Sequence, residues 1–110
     1  MVYQLIATFA LTVAYCFAQN ADAEATVAAY PKGGAEGNEM ITWFYKTKQP
    51  TLSQLRKFNL GFFAMCFLPL FIGYAMTGNA ALGGFSLAVP LGFTISSWMG
   101  VREWKKWENS

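Results

Sequence analysis

Hydrophobic positions gather into three long apolar blocks, separated by one long polar stretch and one short break. The first block, residues 2–18, reads VYQLIATFALTVAYCFA and carries no charge. As a helix it is about 26 Å long, near the roughly 30 Å of a bilayer core once Met1 and Gln19 are added. The second block, FNLGFFAMCFLPLFIGYAM, ends at Met76, and the third runs from about Phe85 to Val101. Runs of this length without charge predict helices that face lipid. The expected fold is an all-α membrane protein with three transmembrane helices. It comprises a first helix over 1–19, a polar loop over 20–50, and a proline-bent helical hairpin with arms at 51–77 and 85–107 and a short turn at 78–84.

Local signals set the boundaries. Thr51-Leu-Ser-Gln54 follows Pro50 and fits a capping box, in which the Thr51 hydroxyl and the Gln54 amide satisfy backbone donors reciprocally. Thr77-Gly78-Asn79 breaks the apolar run, so the flanking helices are predicted to pair antiparallel. Pro69 and Pro90 remove the helical bonds to the carbonyls of Met65 and Ser86, which predicts a bend in each arm at similar depth. In the polar stretch, Pro31-Lys32-Gly33-Gly34 is turn chemistry, while the alanine-rich run at 21–29 allows a short helix. Residues 39–48 place Met40, Ile41, Trp43, Phe44 and Tyr45 ahead of Lys46 and Lys48. Half-wet rings beside snorkelling amines suit a headgroup layer, and a docking patch for a neighbouring protein is the competing reading.

Small residues form a second pattern. Gly84, Ala88, Gly92, Ser96 and Gly100 recur at a step of four, which draws a groove along one helix face where another backbone can come close. Ala7, Ala10, Ala14 and Ala18 give the first helix a similar seam.

Composition narrows the function. Charged residues make up 13% of the 110, about half the share usual in soluble domains, so polar surface is too scarce for a water-soluble fold. A net charge of +2, spread over two clusters, gives no nucleic-acid stripe. Histidine is absent, which removes the commonest general base and metal ligand. Cys16 and Cys66 lie in apolar runs as expected buried free thiols, and no nucleotide or zinc motif is present. The carboxylates Asp22, Glu24, Glu36 and Glu39 read as solvated loop charges, and no ionisable residue falls in the predicted spans. No catalytic residue, metal or cofactor of the chain's own is expected.

Basic residues set the orientation. Lys46, Lys48, Arg56 and Lys57 precede the second span and Arg102, Lys105 and Lys106 follow the third, so three spans place both clusters on one side. That side is expected to be the matrix or stromal one, with the N-terminus and hairpin tip opposite. With Trp43, Trp98, Trp104 and Trp107 these cations suit anionic headgroups, a bound phospholipid such as cardiolipin included. The expected role is a non-catalytic accessory subunit of a larger energy-converting membrane complex, contributing helix packing and lipid anchoring among other membrane subunits. The mitochondrial inner membrane and its respiratory chain are the expected setting. A photosynthetic subunit of the thylakoid membrane, or an independent homo-oligomeric membrane protein, are the alternatives.

Overall fold

The structure, a computed structural model, describes the backbone of residues 2–108 and the side chains of residues 2–106. Its helices are α1 (Val2–Ala29), α2 (Glu39–Tyr45), α3 (Leu52–Thr77) and α4 (Ala80–Glu108), with a 3-10 turn at Tyr30–Lys32. No strand occurs among the described residues. Three of the helices, α1, α3 and α4, are long and apolar enough to cross a membrane. The chain measures 49 × 28 × 18 Å, a slab longer than the roughly 30 Å hydrocarbon layer.

Two helices outrun the boundaries read from the pattern. Helix α1 does not stop at residue 19 but continues unbroken to Ala29. Alanine is the best helix former, and Ala23, Thr26 and Ala29 are buried, so propensity and packing favour helix where charge alone suggests loop. Helix α4 begins at Ala80, leaving only Gly78 and Asn79 between the arms. Gly78 closes α3 in the left-handed region at φ 67°, its N–H donating to the Tyr74 carbonyl at 2.7 Å. The Asn79 side-chain oxygen then accepts from the amides of Ala81 and Leu82 at 2.9 and 3.3 Å, starting α4 at once. At the start of α3 the capping box forms, with Gln54 N–H on the Thr51 hydroxyl and Thr51 N–H on the Gln54 side chain.

Helices α1 and α4 run parallel and make the main packing surface, and α3 runs antiparallel to both. The middle of the bundle is aromatic: Tyr15 stacks on Phe63 with centroids 4.5 Å apart and meets Phe93 edge-on at 5.6 Å. A second cluster of Ala23, Ile41 and Leu55 joins α1, α2 and α3. Hydrogen bonds tie the segment between α1 and α3 down: Tyr30 to the Pro50 carbonyl, Glu36 N–H to the Lys48 carbonyl, and the Gln49 amide to the Gly34 carbonyl. Both prolines lie within continuous helices, Pro69 on the outer surface and Pro90 fully buried.

Candidate functional site

The inner face of α1 is polar. Gln4, Thr8, Thr12, Tyr15, Gln19, Asp22 and Thr26 succeed one another at steps of three and four, and Thr8, Tyr15, Gln19 and Thr26 are buried. Near the hairpin tip, the Gln4 amide donates to the Gly83 carbonyl at 2.9 Å and to the Ser86 hydroxyl at 3.2 Å. Ser86 itself donates to the Gly83 carbonyl at 2.8 Å. At mid-bundle the Tyr15 hydroxyl donates to the Asn59 carbonyl at 3.1 Å. Each bond pairs a polar group that burial among apolar helices would otherwise leave unsatisfied.

Toward the end of the bundle that carries the basic clusters, this stripe opens into two adjoining clefts. One, of about 300 Å³, is lined by Tyr15, Asp22, Asn38, Asn59, Ser96 and Ser97 among others. The second, about 310 Å³, shares Asp22, Asn38, Asn59 and Ser96 and adds Thr26, Glu36 and Glu103. Asp22 lines both. Its carboxylate lies against the bare Cα of Gly100: a methyl there would come within 3.1 Å of the carboxyl carbon and would collide with Oδ1. Rather than a solvated loop charge beyond the first helix, Asp22 is a half-buried residue of α1 wedged against α4. Glu24, by contrast, stays outside and meets Arg56 at 3.3 Å. Among the described residues, no group of three or more His, Cys, Asp or Glu side chains is placed to hold a metal ion.

The predicted seams divide between inside and outside. Of the alanines on α1, Ala18 is buried, Ala7 and Ala14 are half-buried, and Ala10 faces outward. The face that α4 turns toward its neighbours carries Gly83, Ser86, Pro90, Ser97 and Val101, one or two positions removed from the step-of-four groove. Gly84, Ala88, Gly92 and Ser96 are exposed, Ser96 at the edge of the two clefts, while Gly100, at the lower end of that groove, is half-buried against Asp22. Both cysteines are free; Cys16 is exposed on the outer face of α1 rather than buried.

The cations remain at one end of the molecule. Lys46, Lys48, Lys57, Arg102, Lys105 and Lys106 are exposed, as are Trp43 and Trp98, while Arg56 and Trp104 are half-buried. Trp98, Arg102, Lys105 and Lys106 border one shallow surface cleft on α4. The Trp107 side chain lies outside the described residues. Reasoning from runs of hydrophobicity misses Asp22, Gln19 and Ser97; the polar stripe at helical spacing, continued past residue 19, is the signal that carries the first two. No protein-family model, curated protein or solved structure matches the chain.

Proposed function

We propose that this chain is a non-catalytic subunit of a larger integral membrane complex, in which α4 supplies a close-packing surface for a neighbouring helix. The observation that carries the reading is the outward direction of the small-residue groove over Gly84, Ala88 and Gly92. A Cβ added at Gly84 or Gly92 meets nothing within 4 Å beyond the backbone of its own helix. Exposed Phe85, Leu91, Ile95 and Met99 provide bulk beside the groove. Bare backbone flanked by large side chains suits a second backbone far better than it suits lipid, because in a bilayer close packing replaces the hydrophobic drive that water provides.

Self-coverage supports the same view: only 22%, 11% and 17% of the most apolar stretches of α1, α3 and α4 are buried within the chain. Other subunits and ordered lipids would cover the rest. The proposed setting is an energy-converting complex of the mitochondrial inner membrane, on the strength of a small, histidine-free, aromatic-rich chain with no nucleotide motif. A thylakoid complex is the alternative. The basic ends of α3 and α4 would sit on the matrix or stromal side, anchored in anionic headgroups.

Gly92→Leu tests the reading, since a Cβ added there meets open space in the isolated chain. Gentle extraction and native gel electrophoresis should show several-fold lower recovery of the larger complex for Gly92→Leu than for Phe85→Leu. Equal recovery of both, or migration of the wild-type chain only as a 12.2 kDa monomer, counts against it.

A further inference from the structure

We propose that the cleft between α2 and α3 binds one anionic phospholipid, with an acyl chain laid against Gly61 and the phosphate held at Lys57. The inference rests on the membrane reading above and deepens its lipid-anchoring half, while standing apart from the packing role of α4. The cleft has a volume of about 390 Å³, within the range of small-ligand sites. Its floor is a single face of α3, where Lys57, Phe58, Gly61, Phe62 and Met65 succeed one another. Its other wall is α2, through Trp43 and Phe44.

Gly61 makes the floor a notch. An added Cβ there has no neighbour within 4 Å, so the floor is open at Gly61 beside the rings of Phe58 and Phe62. Phe58 and Phe62 stack in parallel with centroids 6.0 Å apart, and Phe44 closes on Phe58 at 6.1 Å. Such walls offer dispersion contact to a methylene chain and no hydrogen bond to a polar group.

Polarity along the cleft selects the occupant. Lys57 lies near the start of α3, at the basic end of the molecule, and Met65 lies about 12 Å deeper along the axis. A cation at the mouth and an apolar slot running inward match an amphiphile with an anionic head. The charge at the mouth is also uncompensated: Arg56 next to it is engaged by Glu24 at 3.3 Å, whereas no carboxylate pairs with Lys57 among the described residues. Trp43, 77% exposed, and Phe44, 60% exposed, hold α2 at the level where rings sit half in headgroups.

Native mass spectrometry of the full chain, released from micelles doped with equal phosphatidylglycerol and phosphatidylcholine, tests this. The expected result is one retained phosphatidylglycerol. Lys57→Gln should lower that retention about fivefold, the worth of one lysine beside an anionic headgroup. Gly61→Leu, which adds bulk at an open position, should abolish retention with unchanged helical circular dichroism, and Lys32→Gln, in the exposed turn after α1 and outside the cleft, should leave it intact. Equal retention of both lipids, wild-type retention in Lys57→Gln or Gly61→Leu, or loss only in Lys32→Gln overturns the site. Recovery of the larger complex, read in the same variants, separates the two proposals: lipid kept while Gly92→Leu proves harmless upholds this site and sinks the packing role.

Discussion

Replacing Gly100 by alanine tests whether the close contact of α1 and α4 depends on Asp22. Two effects compete at this position. An exposed Gly→Ala change in a helix interior gains up to about 1 kcal/mol from propensity. Gly84→Ala, whose new methyl enters open space, should show that gain or no change. At Gly100 the methyl instead meets the Asp22 carboxylate, within 3.1 Å of its carbon atom and nearer to one oxygen. The carboxylate ends a short side chain with two torsions, so it yields by rotating into the adjoining cleft and giving up its place against α4, or by moving α1 away. Overpacking of this kind costs about 1–3 kcal/mol, which outweighs the propensity gain. Unfolding in mixed micelles, titrated with dodecyl sulfate and followed by circular dichroism, should therefore place Gly100→Ala about 1–2 kcal/mol below wild type. Asp22→Ala removes the obstacle. In that background the loss at position 100 should shrink or reverse, a coupling of about 1 kcal/mol or more. If Gly100→Ala is as harmless as Gly84→Ala, or its cost is undiminished beside Asp22→Ala, the wedge is not what fixes the two helices.

Three further changes read the same packing. Thr51→Ala removes the hydroxyl that accepts from the Gln54 amide and should cost about 1 kcal/mol, measured by the same unfolding titration and by faster amide exchange in the first turn of α3. Gln4→Leu loses both bonds to the hairpin tip, and at the roughly 0.6 kcal/mol typical of interhelical bonds in membranes should lower stability by about 1 kcal/mol. An unchanged midpoint would show that the tip is not fastened by Gln4. Glu24→Gln breaks the ion pair to Arg56, but both side chains are about half exposed, so a change below about 0.5 kcal/mol is expected. A larger loss would mark that pair as part of the packed interior.

The capping box at Thr51 and Gln54, the break at Thr77 to Asn79, and the three long apolar helices were legible because each depends on residues close in sequence. Boundaries were less legible. Charge at Asp22 and Glu24 reads as loop, yet the alanines around them keep the helix, and the neighbouring helices turn Asp22 inward and Glu24 outward. Only the polar stripe at helical spacing, continued past residue 19, separates the two, since Asp22 falls on it and Glu24 does not.

The sequence by itself determined which segments are helical and apolar, and that the basic residues gather at one end, since helix formation and hydrophobicity are properties of a window of residues. It also determined that α4 carries two rows of small residues, at Gly83 and Ser86 and at Gly84, Ala88 and Gly92. Only the tertiary structure decided which row serves this chain. Packing of α1 and α3 takes the row at Gly83 and Ser86, because the Gln4 amide and the Tyr74 ring both close on Gly83, and so leaves the step-of-four groove facing outward. The choice rests on side chains that are far apart in sequence and meet only in the folded bundle.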